Sequence, residues 1–214
     1  MQVKLVSCTP RPIEVMAEAA AVCYDAQPGE WLVEHCLDSG HLSIAEFAQF
    51  HFSVSGISRV CSHQLVRKRI ASYAQQSQRA HDSVGFCHVM PPSVAEDRES
   101  QVIFNNAMDY VQRAYDRLRE RGVPPEDARF VLPNACATNI HISMNGHSLI
   151  DFCNQRLCHR AQWEIRGLAR RMRDLVEEKC ELLARYMVSK CDALGYCPEK
   201  NSCGRRGNGY QRLP

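Results

Sequence analysis

The sequence contains no apolar run approaching the ~18–20 residues that a helical membrane span needs, so no membrane partner is expected. Its opening stretch, MQVKLVSCTPRPIEV, has neither the apolar core nor the small-residue cleavage site of a secretory signal, and a cytoplasmic location is expected. No G-x-G-x-x-G follows a strand pattern and no Walker A loop occurs, which excludes a Rossmann half or a P-loop as the holder of a nucleotide. The late GRRGNG at 204–209 lies in a polar tail and has no such context. Charge of one sign is also scarce. A formal net charge of +2 is too small for a coat that binds polynucleotide, so no nucleic-acid partner is expected. Internal repeats and low-complexity tracts are absent. With 214 residues, the chain has room for one well-buried domain.

Cysteine, by contrast, is plentiful at twelve residues. Cys8, Cys23, Cys36, Cys61, Cys87, Cys136 and Cys153 fall within apolar-periodic stretches and are read as small buried hydrophobes, consistent with reduced cytosolic thiols. The tail cysteines Cys191, Cys197 and Cys203, with Cys158, His159 and Cys180 upstream, lack the short C-x2–4-C spacing of structural zinc, and no metal is assigned to them.

Periodicity predicts a strand over 2–8, then a helix capped by Thr9 and running to about Tyr24. A second helix is expected over 30–38 with Gly40 as its stop, a strand over 47–55, and helix again over 58–67. Extended or irregular chain follows to about residue 90. A long amphipathic helix is expected over 99–121, a short one after Pro124-Pro125, and a strand over 136–144. Helices over 148–157 and 161–187 close the pattern, the latter with Ile165, Leu168, Met172, Leu175, Leu183 and Met187 on one stripe. The fold class is α+β: a single domain with a mixed or antiparallel sheet flanked by helices and a long C-terminal helix. Residues 1–190 are read as the catalytic domain and 191–214 as a Cys- and Gly-rich tail, poorly ordered unless something ties it down.

The stretch 64–79, QLVRKRIASYAQQSQR, carries the chemistry. Arginine forks bind phosphate oxygens bidentately, while hydroxyls and carboxamides complete the coordination and read base edges. If the segment is extended, Gln75, Ser77 and Arg79 turn to one side and offer an amide, a hydroxyl and a guanidinium to a nucleotide. From charge alone, a solvated helix end stabilised by the helix dipole explains the same arginines.

Arg67, Arg69, Ser72, Ser77 and Arg79 form the pattern R-x-R-x-x-S-x-x-x-x-S-x-R, and in this the chain resembles the flavin-dependent thymidylate synthases. GHLSIAEFAQFHFSV (40–54), EDARFVLPNA (126–135) and SLIDFCNQRLCHRAQWEIR (148–166) are similar to further segments of that family, in the same order along about residues 4–187. The resemblance implies conversion of dUMP to dTMP by an FAD-dependent methyltransferase. Methylenetetrahydrofolate gives the carbon, NADPH reduces the flavin, and the reduced flavin supplies hydride. It further implies a homotetramer whose sites are shared between subunits. Carried over by position, Gln64, Arg67, Gln75, Gln76, Ser77, Arg79, Arg129 and Arg156 would bind dUMP. Ser43, Arg67, Lys68, Arg69, Gln75, Asn145, His147 and Asp151 would hold FAD. Arg156 is the catalytic candidate, a fixed cation that polarises the pyrimidine for attack. Without the family, Arg156 reads as a surface helix arginine and Arg129 as half of a buried ion pair. Ser77 has no base placed to activate it and is read as a ligand.

Four positions depart from the family pattern. Lys68 replaces a usual histidine, His147 a usual arginine, Gln75 a usual glutamate, and Glu46-Phe47 a usual Glu-His pair. Lys68 and His147 bear on the flavin and predict a weaker hold on FAD. They are also the only support for an alternative reading, a degenerate nucleotide- or flavin-binding protein without turnover.

Overall fold

The computed structural model describes residues 1–207. Residues 208–214, with the end of the GRRGNG stretch and of the expected tail, lie outside the described residues. In chain order the elements are β1 (Gln2–Cys8), α1 (Pro12–Tyr24), α2 (Glu30–Asp38), a 3-10 turn (Leu42–Phe47), β2 (Gln49–Ser58), α3 (Arg59–Leu65) and β3 (Ser72–Gln75). They continue with α4 (Pro92–Ala95), α5 (Arg98–Glu120), α6 (Pro125–Ala128), a second 3-10 turn (Arg129–Val131), β4 (Ala137–Asn145), α7 (Gly146–Arg156), α8 (Trp163–Glu177), α9 (Glu181–Tyr186) and α10 (Lys190–Leu194). The strands form a four-stranded antiparallel sheet in the order β1-β2-β4-β3, and the fold is α+β as expected.

Short polar side chains start the helices that matter for the site. Ser58 Oγ accepts from the Cys61 amide at 3.0 Å and opens α3. Asp97 accepts from Ser100 N at 2.7 Å and opens α5, and Asn145 Oδ1 accepts from Ser148 N at 2.8 Å and opens α7. Gln162 Oε1 takes both the Glu164 and Ile165 amides, at 2.9 and 3.1 Å, which gives the glutamine of the AQWEI segment a structural task. Each such cap satisfies amides that the helix itself cannot, and contributes about 1 kcal/mol.

The chain divides into two compact units. One comprises Met1–Gln2, Val54–Arg67 and Ala74–Ile140. Its main helix is α5, with α4 and α6 packed against it. Only Met108 and Tyr115 of α5 are buried, and Val102, Ile103 and Tyr110 are exposed. The other unit comprises Val3–Ser53, Lys68–Tyr73 and the chain from His141 onward. Here α1 packs on α2 and on the first 3-10 turn, while α7 packs on that turn, α8 and α9. Met16, Leu32, Phe152, Leu168, Met172 and Leu183 are buried in this unit, each stabilising it by about 1.5–3 kcal/mol relative to exposure.

Three expectations require correction. Thr9 does not cap α1: its Oγ1 accepts from Gln49 N at 2.8 Å, beside β2, and the N-cap is Arg11 in the left-handed region at φ 48°. The expected helix over 161–187 is two helices. Cys180 leaves helical geometry at φ −153° and ψ 76°, buries its thiol and restarts the chain as α9, where the neighbours Leu182 and Leu183 are both buried. The cysteines are also divided: Cys36, Cys61, Cys136 and Cys153 are buried as expected, Cys8 is half-buried, and Cys23 and Cys87 are exposed because they lie on the outer faces of their segments.

The thiols give a direct check on this packing. Burial pushes the Cys153 thiol up to about 12, so it forms no thiolate near neutral pH. A disulfide reagent should therefore label Cys23, Cys87 and Cys203 rapidly in the native protein and all twelve cysteines only after denaturation. Rapid native labelling of Cys153, read by peptide mass spectrometry, would contradict the fold.

Candidate active site

The residues expected to bind dUMP fall largely in the first unit, and its polar contacts show how they are held. Gln75 ends β3. Its amide nitrogen donates to Ser62 Oγ at 3.0 Å and Thr138 Oγ1 at 3.3 Å, which leaves the carboxamide oxygen as the atom it offers to a ligand. Gln76 accepts from Asn139 Nδ2 at 3.1 Å, and Asn139 in turn accepts from Gly56 N. Gln64 is half-buried in the last turn of α3, and Arg67 is exposed just beyond that helix, without an ion-pair partner among the described residues.

The extended wall of Gln75, Ser77 and Arg79 is not built as expected. The strand stops at Gln75, and Ser77 Oγ folds the chain into a turn by accepting from the amides of Arg79 and Ala80 at 3.1 and 3.3 Å. A serine hydroxyl that accepts local amides competes with strand pairing, and periodicity does not reveal this. Its hydrogen remains available for donation. The turn sends Arg79 to Glu126, whose carboxylate it meets at 2.6 Å, while Arg129 Nε donates to the Glu126 carbonyl at 2.9 Å. Arg79 and Arg129 thus converge on one residue, and Arg129 makes no side-chain ion pair there. A cavity of about 330 Å3 is lined by Gln76, Ser77 and Thr138, together with Cys87 and Cys136. Burial raises the Cys136 thiol above its ordinary range and keeps it protonated, which disfavours nucleophilic attack by it.

A clamp that sequence reading missed holds the loop after Ser77. Arg119 Nε and Nη2 both reach Asp82 Oδ2 at 3.1 Å. The fully buried Tyr115 hydroxyl donates to Asp82 and accepts from Ser83 N, each at 3.1 Å. Arg119 first, and Tyr115 with it, hold the Asp82 carboxyl below its ordinary 3.8. With the folded value below the unfolded one, the stabilisation is present above that range and is lost as pH falls through the depressed value. Asp82→Asn should therefore lower the thermal midpoint at neutral pH, and the gap to wild type should close under acid conditions. A gap that stays constant down to low pH would show that the carboxylate charge is not its source.

The residues expected to hold FAD, Arg67 and Gln75 apart, lie in the second unit together with Arg156. Lys68 Nζ meets Asp151 Oδ2 at 3.0 Å, so these two are brought together as a pair, with the Lys68 side chain only 13% exposed. The Tyr73 hydroxyl donates to the Lys68 carbonyl at 2.8 Å and fixes that turn, and burial pushes its pKa up to about 12. His147 Nδ1 lies 3.1 Å from Glu46 Oε1, a partner one hundred and one positions away that no spacing rule finds. Ser43 and His147 line one cavity of about 530 Å3 with Tyr24 and His41. Asn145 is occupied with capping α7, and Arg69 is exposed, without an ion-pair partner among the described residues. Arg156 is the last residue of α7, half-buried, where a cation also suits the helix C-terminus.

A flavin dinucleotide presents a diphosphate and a flat ring. Within the second unit, the exposed Arg69 fork suits the first, and the Ser43–His147 cavity offers room for a flat ring. Lys68, beside the Asp151 carboxylate, contributes less net positive charge than a free cation. Among the described residues, no three His, Cys, Asp or Glu stand close enough to hold a metal ion, and no helix is long and apolar enough to cross a membrane.

Residues 4–181 match the family described as thymidylate synthase complementing protein. The chain is 42% identical over 220 residues to a flavin-dependent thymidylate synthase of Geobacter sulfurreducens, covering 96% of this chain and 94% of that one. It is 41% identical to one from Pyrococcus abyssi, with 94% and 90% covered, and 38% identical to one from Nitratidesulfovibrio vulgaris, with 95% and 94% covered. With a family match over most of its length and relatives this similar from end to end, the chain belongs to the flavin-dependent thymidylate synthase family.

Proposed function

We propose that this protein converts dUMP to dTMP, with methylenetetrahydrofolate as carbon donor and NADPH as reductant. The observation that carries this reading is family membership across residues 4–181, with all five arginines and serines of the R-x-R-x-x-S-x-x-x-x-S-x-R pattern present. FAD, when bound, supplies the hydride chemistry, while the protein supplies position and field. No observation favours the binding protein without turnover.

Gln64, Arg67, Gln75, Gln76, Ser77, Arg79 and Arg129 bind dUMP, and Arg156 opposes the charge that develops on the pyrimidine. The Gln75 oxygen accepts from the base, and the Ser77 hydroxyl donates to phosphate. Arg79 gives up Glu126 to bind phosphate: both partners are substantially exposed, and such a pair contributes only about 0.2–1 kcal/mol, so a doubly charged phosphate displaces it. Ser43, Arg67, Lys68, Arg69, Gln75, Asn145, His147 and Asp151 hold FAD. The catalytic domain is residues 1–190, and the enzyme works in the cytoplasm. The assembly is a homotetramer in which several chains contribute to each site. The exposed Val102, Ile103, Tyr110 and Phe130 support an assembled state, since a chain this short leaves large apolar side chains uncovered.

Anaerobic incubation with FAD, NADPH, methylenetetrahydrofolate and dUMP tests the reading. Formation of dTMP that stops when FAD is left out supports it. Tight binding of FAD and dUMP without dTMP would transfer the protein to the class of binding proteins.

A further inference from the structure

Residues 195–207, part of the tail expected to be poorly ordered unless something ties it down, are tied into their own unit. Arg205 Nη1 and Arg206 Nη2 reach the two Asp192 oxygens at 2.8 and 3.0 Å. Arg160 donates to the Asn201 carbonyl, and the Cys197 amide donates to Gly207 O at 2.8 Å. Held this way, the segment walls one side of a cavity of about 410 Å3. The other wall is the end of α7 with the loop after it, from Asn154 through Arg156 to Ala161.

The lining is strongly one-signed. Arg156, Arg160, Lys190, Arg205 and Arg206 face a single lining carboxylate, Glu199. Asp192 offsets only one of the two arginines it touches, and the Arg160 contact is to a neutral carbonyl. Four of these five cations are arginines, whose planar forks bind carboxylates two oxygens at a time. The cavity is therefore built for an extended anion with several charges.

We propose that this cavity binds the γ-glutamyl tail of the folate co-substrate, an oligocarboxylate that carries about one negative charge per added residue near neutral pH. The inference rests on the reaction proposed above. Arg156 lines this cavity, so a carbon donor brought to the pyrimidine opposite that arginine comes within reach of the cavity walls. NADPH reacts with the flavin and not with the pyrimidine, so its phosphates have no need of this place. The tail segment 191–207 is then a specificity element for long-tailed folates.

The test compares mono- and pentaglutamyl methylenetetrahydrofolate on the full-length protein, by KM and by direct binding. The pentaglutamyl form should have a KM about tenfold lower, the sum of a few partly exposed ion pairs, and the advantage should fade as salt rises. Lys190→Gln leaves the Asp192 tether intact and should reduce the ratio severalfold, with kcat on the monoglutamyl substrate unchanged. Arg205→Gln should reduce it also. Equal KM values for the two folates in wild type overturn the inference while leaving the reaction standing. A rise in the KM for NADPH in these variants, with the folate ratio intact, assigns the cavity to phosphate and overturns it too. If neither folate yields dTMP, the reaction itself fails, and equal binding of the two folates then removes the cavity's role as well.

Discussion

Arg156→Ala is expected to lower kcat for dTMP formation by about 10²–10³-fold, the cost of removing one fixed donor from developing charge. The guanidinium stands at the end of α7, where burial of Leu149, Phe152 and Cys153 along that helix fixes the backbone that carries it. A charge positioned by a packed helix needs no reorganisation as the pyrimidine ring takes up negative charge. Its loss is therefore expected in kcat, and a melt separates that loss from any effect on folding. Arg156→Lys keeps the charge but loses the planar fork and should recover only part of the rate. Steady-state kinetics with a thermal melt on each variant makes the check. A melt unchanged from wild type with kcat also unchanged would remove Arg156 from the chemistry.

Gly146→Ala is expected to destabilise the fold by about 1–3 kcal/mol, a typical cost of overpacking. A Cβ at this position would stand 2.7 Å from the Ala45 carbonyl oxygen and 3.0 Å from Leu183 Cδ2. The first of these is backbone that cannot swing aside, because Gly146 N is itself bonded to Ala48 O at 2.8 Å on the same turn. For a chain of this length the thermal midpoint should fall by several degrees, at about 2–4 °C per kcal/mol. The displacement acts on Asn145 and His147 on either side, and on the turn that carries Ser43. Flavin retention through gel filtration should fall with it. An unchanged midpoint together with full retention would show that α7 does not lie this close to the turn.

Much of this was legible in the sequence because it depends on local rules. Gly122 marks the end of α5, and Ile140, Ile142 and Met144 mark the buried face of β4, through helix-stop chemistry and period-two alternation alone. The Arg67–Arg79 spacing identified the family before any contact was known. What escaped depends on partners far along the chain or on turns. Ser77 ends its strand by bonding the amides of Arg79 and Ala80, so the wall expected from alternation becomes a turn. Glu46 faces His147 across the second unit, and the clamp of Asp82 with Tyr115 and Arg119 joins a loop to a helix more than thirty positions on. The break before α9 escaped because the apolar stripe continues in register on both sides of Cys180, and only the non-helical backbone of that residue shows the reset. The GRRGNG stretch had no motif context, yet its two arginines fasten the segment to Asp192.

Methylation replaces the hydrogen at C5 of the pyrimidine, so release of tritium from dUMP labelled at C5 tests the central claim most directly. Under anaerobic conditions, with FAD, NADPH and methylenetetrahydrofolate, tritium should enter water in step with dTMP, and both should be lost without FAD and in Arg156→Ala. Binding of FAD and dUMP with no tritium released and no dTMP formed would contradict it.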